Sequence, residues 1–317
     1  MFVAVVGKAE KTQNRQLITA AGPGTTGLRA AMEKNMSGSD KQPLRVGIGG
    51  MGTVGWPVAK WLDGEGAGGG NGAAEGLVLA AVSAADKERA GDRVSEFNTA
   101  VPVVGLAELA DVANVIVETA PPERFAEVAE PAVRAGRILI LLSVTSLLER
   151  MDLVDLARET GARIIIPTGA LIGLDAVRAA AMGDLQSVTM VTRKPPKALK
   201  KVKFVAELGI DLDELTAPEL LYRGTVAGAA AKFPANVNVA VALGLAGLGP
   251  ENTEFEIWAD PGVDRNTHAI KVESDAANFE MTIAVVPTEE NPATGKLVAL
   301  SVMEALRGLV TTFRVGT

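Results

Sequence analysis

The stretch LRVGIGGMGTVGWPVAKWL, residues 44–62, constrains the fold more than any other. A short apolar run rich in β-branched residues meets a glycine cluster at once. A helix-like segment then begins. The glycines match G-x-G-x-x-G in two registers, one through Gly47, Gly49 and Gly52, the other through Gly50, Gly52 and Gly55. The second register leaves a complete strand, LRVGIG, ahead of the turn and starts the helix at Thr53 to Gly55, with Thr53 near the N-cap. Such a turn has to be tight, to bring bare backbone beside a pyrophosphate and to let helix and strand pack closely. The helix N-terminus then offers free N–H groups and a positive dipole end to phosphate. A lone glycine motif is weak, but here it follows a strand and opens a βαβ unit, so a dinucleotide site is expected.

The next segments keep that rhythm. GLVLAAVSA (76–84), PVVG (102–105), NVIVETA (114–120), RILILLSV (137–144) and ARIIIPTGA (162–170) read as strands. Between them KERAGDRVSEF, LAELAD, PPERFAEVAEPAVRAG and LLERMDLVDLARETG read as helices. Mostly uniform apolar strands alternating with helices indicate a parallel sheet covered on both faces. After Gly169 the pattern changes. LQSVTMVTRK, VKFVAEL, TEFEIWAD, THAIKVES and NFEMTIAVV read as strands of an antiparallel sheet, the last two joined by a DAA turn. FPANVNVAVALGLAGLG reads as a helix with Pro234 in its first turn. LVALSVMEALRGLV reads as a final helix that returns to the first domain. The expected fold is α/β: a Rossmann-type doubly wound parallel sheet with a second, smaller α+β domain carrying a mostly antiparallel sheet. The domains are expected at 44–168, joined by the C-terminal helix within 297–317, and at 169–296. Residues 1–43 are expected to be a disordered extension, with Met36 the natural start and a transit peptide the alternative. GEGAGGGNGAAEG (64–76) reads as a long flexible loop.

Composition narrows the chemistry. There is no cysteine and a single histidine among 317 residues, which removes thiolate catalysis, disulfides and metal sites built on cysteine or paired histidines. No metal site is expected. The net charge is −7 with no basic stripe, so no nucleic-acid partner is expected. No apolar run reaches the length of a membrane span, and a soluble, cytoplasmic protein is expected. The second strand ends VSAADKER. Ser83 sits at its tip, where an acidic residue would bind the ribose 2′-hydroxyl, with Asp86 slightly late and Lys87 and Arg89 placed to meet a 2′-phosphate. NAD or NADP stays open.

That histidine, His268, lies in ADPGVDRNTHAIKVE. Read from the residues alone it is either a solvent-facing strand residue or a base with a pKa near the working pH. Asn266 lies two residues before it and shares its face if the strand extends that far. Asp260 or Asp264 would orient the ring in the catalytic reading and cap the loop otherwise.

Several stretches coincide with one family. GMGTVG, PTGALIGLDAVRAA, VTRKPP, LYRGTVAGAAAKFPANVNVAVALGLAGLG, ADPGVDRNTHAIKVES and NPATGKLVALSV run in order from about residue 44 to the C-terminus. In these the sequence resembles the L-aspartate dehydrogenases. The resemblance implies NAD(P)-dependent oxidation of L-aspartate to iminoaspartate, then oxaloacetate and ammonia, or the reverse. It implies catalysis by His268 and cofactor contacts at Ala170 and Asn238; Asn266, from its spacing to the histidine, is the expected partner that hydrogen-bonds the substrate or fixes the ring. It also implies a homodimer, and a product that can feed NAD biosynthesis. Asn236 is the expected cap of the helix that carries Asn238. Arg193, Lys194, Arg223 and Arg265 flank the matching segments and are candidates for binding a dicarboxylate. Two turns depart from the family pattern: Thr119–Ala120–Pro121 after the fourth strand and Ser143–Val144–Thr145–Ser146 after the fifth. They keep two alternatives open, an amino-acid or imine dehydrogenase acting on a modified aspartate and a non-catalytic NAD(P)-binding sensor. Sugar-type relatives with Glu-Lys-Pro after the fifth strand and reductases with paired histidines fit less well.

Overall fold

The structure is a computed structural model that describes residues 42–64, 75–234 and 236–316. The expected extension over 1–43 and the centre of the 64–76 loop lie outside these, apart from their edges. Residues 43–317 form one compact unit with two sheets.

The first sheet holds β1 (Leu44–Gly49), β2 (Leu77–Ser83), β3 (Val115–Glu118), β4 (Ile138–Leu141) and β5 (Arg163–Ile165). Its order is β2-β1-β3-β4-β5 and every pairing is parallel. All four residues of β3 are buried, which suits a strand with helices on both faces. Helices α1 (Gly55–Leu62), α2 (Lys87–Val94), α3 (Leu109–Val112), α4 (Phe125–Arg134), α5 (Val144–Leu148) and α6 (Asp152–Thr160) connect the strands. The expected strand at 102–105 is only a parallel bridge from Val103 to Val82, flanked by bonds to the carbonyls of Pro102 and Val82. It lies outside β2, so β1 and β3 flank the point where strand order reverses. The carboxyl ends of strands at such a point form a ligand crevice.

The second sheet has the order β10-β9-β6-β8-β7, built from β6 (Leu185–Lys194), β7 (Glu219–Thr225), β8 (Glu254–Ala259), β9 (Thr267–Ser274) and β10 (Asn278–Ala284). Three pairings are antiparallel, while β6 and β8 run parallel. Alternating burial along β6, β8 and β9 marks a sheet with one covered face. Helices α7 (Leu174–Ala180), α8 (Lys203–Glu207), α9 (Val226–Lys232) and α10 (Asn238–Ala246) belong to this half. Helix α11 (Lys296–Arg307) returns to α1, where Val302, Met303 and Leu306 join the core with Val58 and Leu62.

Several local expectations are corrected. VKFVAEL is the helical turn α8, ended by Gly209 at φ +68°; its apolar residues do not alternate, and only Val205 within the turn is buried. Strand β7 went unread because an exposed edge strand with Gly224 carries little apolar signal. LLERMDLVDLARETG divides into α5 and α6, and the strand at 162–170 shrinks to three residues before a turn at Gly169, φ +65°. Pro234 lies ahead of α10, which starts at Asn238, because Phe233 closes α9 and a turn intervenes. Thr53 does not cap α1: the N-cap is Val54, with no side-chain bond to the first turn.

Candidate active site

Between the glycine turn and the β6–β9 end of the second sheet lies a cavity of about 960 Å³. One end is made of backbone. Gly50 has φ +117°, and a Cβ there would collide with the Thr119 carbonyl. A Cβ on Gly55 would collide with the Gly50 carbonyl and come within 2.7 Å of Thr119 Oγ1. Gly52 faces open space. Thr119 Oγ1 donates to the Gly50 carbonyl at 2.8 Å and its N–H donates to Gly49 at 2.9 Å, fixing the turn against the tip of β3. Gly52, Thr53 and Val54 line the cavity at the start of α1, where no side chain takes up the first N–H groups. A bare turn leading to an uncapped helix N-terminus fits a dinucleotide pyrophosphate.

Ser83 is buried at the tip of β2, and its carbonyl accepts from Gly50 N–H at 2.9 Å. The wall there is formed by Ala84, Ala85, Asp86, Arg89 and Arg93. The Asp86 carboxylate caps α2, accepting from Arg89 N–H at 2.9 Å. Arg93 lies over the Trp56 ring and donates to the Met51 carbonyl.

The floor is tied by a residue that the sequence reading passed over. Glu118, the last residue of β3, is fully buried. Its carboxylate accepts from Leu142 N–H at 3.2 Å, Ser143 N–H at 3.0 Å and Ser143 Oγ at 3.0 Å. Burial pushes its pKa up, and these donors pull it partly back. An acid ending an otherwise apolar strand at the carboxyl edge of a parallel sheet was the available signal. The two turns that depart from the family pattern serve this frame. Thr119 holds the glycine turn, Ser143 holds Glu118, and Thr145 donates through N–H and Oγ1 to Asn238 Oδ1, both at 2.9 Å.

The other end is made of side chains. His268, on β9, is only 3% exposed, so it is not a solvent-facing strand residue. Its Nδ1 is 3.0 Å from Thr192 Oγ1, on the neighbouring strand in direct register. Asp260 and Asp264 do not orient the ring: Asp260 pairs with Arg193 at 3.0 Å and Asp264 with Arg265 at 2.6 Å. Burial, and secondly the charge of Lys194, lower the His268 pKa to about 3. Lys194, the last residue of β6, is 6% exposed; burial lowers its pKa to about 8. Asn236 does not cap α10, because its Oδ1 and carbonyl face Lys194 Nζ at 3.1 and 3.4 Å. Asn266 precedes β9, lines the cavity with His268 and uses its carbonyl to accept from Val285 N–H. Ala170 and Asn238 line the same cavity, as do Gly50 and Gly52, whereas Gly55 packs beneath the turn. The structure thus gathers His268, Lys194, Asn266, Asn236 and Asn238 on one cavity, and leaves Arg223, paired with Glu256, outside it.

Comparison with known proteins agrees with this geometry. Residues 175–309 match the family described as aspartate dehydrogenase, C-terminal, and residues 50–167 match the NAD-binding domain of homoserine dehydrogenase. The chain is 47% identical over 274 residues to an L-aspartate dehydrogenase of Bradyrhizobium diazoefficiens, covering 86% of this chain and 94% of that one. It is 46% identical to L-aspartate dehydrogenase 3 of Bordetella bronchiseptica over 88% of this chain and all of the relative. The crystal structure of aspartate dehydrogenase from Thermotoga maritima superimposes with a TM-score of 0.63 at 26% identity, covering 86% of this chain and 99% of that one. By sequence and by fold, the chain belongs to the L-aspartate dehydrogenase family of NAD(P)-dependent amino-acid dehydrogenases.

Proposed function

We propose that this enzyme oxidises L-aspartate to iminoaspartate, which water converts to oxaloacetate and ammonia, with His268 as the general acid and base. The observation that carries this reading is a buried histidine on the same cavity as the bare glycine turn, its Nδ1 held by Thr192. The Gly50–Gly55 turn would hold NAD(P)⁺, which would supply the acceptor for the hydride that leaves the substrate Cα. The net reaction is aspartate, NAD(P)⁺ and water giving oxaloacetate, ammonia and NAD(P)H, with one proton released.

The neutral imidazole is the form that can accept a proton, and burial beside Lys194 keeps it neutral across the physiological range. In the tautomer whose Nδ1–H donates to Thr192 Oγ1, 3.0 Å away, the lone pair sits on Nε2. It takes a proton from the water that attacks the imine carbon. It returns that proton to nitrogen as the carbon–nitrogen bond breaks and ammonia leaves. Asn266, two residues away on the same cavity, hydrogen-bonds the substrate. Asn238 has its Oδ1 engaged by Thr145, so its amide N–H₂ is the group left to meet the nicotinamide carboxamide, beside Ala170. The Gly50–Gly55 turn would hold the pyrophosphate, and the Ala84–Arg89 wall, next to buried Ser83, would face the adenosine ribose. The enzyme is proposed to act in the cytoplasm as a homodimer joined through the second sheet, which sedimentation of the full chain will test.

The primary test is formation of reduced nicotinamide by the full chain with L-aspartate and either cofactor, beside His268→Ala. Turnover by the parent and its loss in the variant, with cofactor affinity retained, is the expected result. A parent that binds cofactor but oxidises neither L-aspartate nor N- or β-substituted aspartates overturns the reading in favour of a sensor.

A further inference from the structure

Of the four cations that flank the family-matching segments, three have carboxylate partners. Arg193 is held by Asp260, Arg265 by Asp264 and Arg223 by Glu256. Lys194 is different. It is buried, it lines the cavity, and its hydrogen-bond partners are the neutral carbonyl and side-chain oxygen of Asn236. Among the described residues no carboxylate pairs with it. A buried cation with no counter-ion is costly, and such groups are ordinarily paired. The side chain is nevertheless held in place, because Asn236 fixes Nζ from the α9–α10 connection while β6 fixes its backbone.

We propose that Lys194 is the carboxylate-binding residue of the substrate site: a carboxylate of the dicarboxylate substrate supplies the counter-charge that the protein withholds. This rests on the dicarboxylate reading above and deepens it.

The groups around Lys194 support one charge and one pairing. On β9 the facing titratable group is His268, which is neutral because burial, and secondly the Lys194 charge, oppose its protonation. At the end of β8, Asp260 donates its backbone N–H to the Lys194 carbonyl while its carboxylate is spent on Arg193 and on Gly262 N–H; Glu290 lines the cavity but makes no ion pair with Lys194. Helix α10 carries no titratable residue. At this end of the cavity an arriving carboxylate therefore meets the unneutralised Lys194, while Arg89 and Arg93 line the wall beside Ser83. Pairing with it also relieves the repulsion that opposes protonation of His268, so substrate binding raises the basicity of the group that must move the proton. Specificity follows as well: a substrate without the matching carboxylate leaves the ammonium buried and unpaired, which is the strongest form of rejection.

The test is calorimetric titration of succinate, a dicarboxylate without an amine to titrate, into the full chain saturated with reduced cofactor. L-Aspartate kinetics run in parallel. In the parent, succinate affinity is expected to fall about tenfold per pH unit once pH passes about 8, where Lys194 loses its proton. Lys194→Arg is expected to keep binding and flatten that dependence, since its guanidinium stays charged. Lys194→Met is expected to weaken succinate about 30-fold or more, raise the aspartate KM alike and leave cofactor affinity within about twofold. A Lys194→Met enzyme that binds succinate like the parent, or a parent whose affinity is flat above pH ~8, overturns the assignment while leaving aspartate oxidation standing. A parent that binds succinate with this profile but does not oxidise aspartate upholds Lys194 and overturns the substrate reading. A parent that does neither overturns both.

Discussion

The two ends of the cavity are built from different materials. At the β1–α1 end the recognising groups are backbone: a positive-φ glycine, a glycine under the turn and a helix start with no side-chain cap. At the β6–β9 end they are side chains, a buried histidine and a buried lysine brought together across two paired strands. A backbone site is intolerant of shape and indifferent to pH. A side-chain site made of titratable groups is the reverse. The two halves should therefore fail in different ways.

The largest separation is expected from His268→Ala. Removing the proposed proton-transfer group should lower kcat with L-aspartate by about 10³-fold while the affinity for reduced cofactor, read by fluorescence titration, is unchanged. Equal losses in both would erase the distinction.

Next are the pH windows of stability. His268 titrates at about 3 in the folded protein and near 6.5 when unfolded. Between those values the unfolded chain binds more protons, so stability is full above pH ~6.5 and is lost as pH falls toward about 3. Lys194 titrates at about 8 folded and near 10.4 unfolded. Here too the unfolded chain holds the extra proton, so stability rises with pH across that window, by about 3 kcal/mol. Urea unfolding over pH should show both slopes, with His268→Ala flattening the acid one and Lys194→Met the alkaline one. Gly55→Ala should leave both slopes as they are.

Gly55→Ala probes the backbone end. Its methyl group must displace the Gly50 carbonyl, which should cost about 2 kcal/mol, or ~30-fold in cofactor affinity. At saturating cofactor the aspartate KM should not move. The smallest effect is expected from Thr192→Val, which removes one neutral hydrogen bond to the imidazole. A fall in kcat of about fivefold, from about 1 kcal/mol, with KM unchanged would identify Thr192 as a residue that positions the ring. A larger KM effect would place it in substrate binding.

The same contrast explains what could be read in advance. The strand, glycine turn and helix of residues 44–62 are contiguous, and each glycine answers a local steric demand, so the pattern is written in neighbouring letters. His268 stood out because it is the sole histidine, and Asn266 followed from strand periodicity. Its orienting partner did not follow. Nearby acids, Asp260 and Asp264, looked suitable, but each is engaged by an arginine, and Thr192 reaches the ring from 76 residues away. The sequence reading passes over Glu118. Its role exists only because β4 lies beside β3 and turns its N–H groups toward the carboxylate.

The sequence by itself determined the alternating α/β half, the dinucleotide turn and the single histidine as the candidate for proton transfer. Periodicity, glycine sterics and residue chemistry act over a few neighbours and need no partner to be recognised. Only the tertiary structure decided which residue holds the histidine and which of four flanking cations is buried without a carboxylate. Those properties depend on strand register and on depth from solvent. Asn236, Lys194, Thr192 and His268 come from three distant segments, and only the folded sheet and the turn beside it make one site of them.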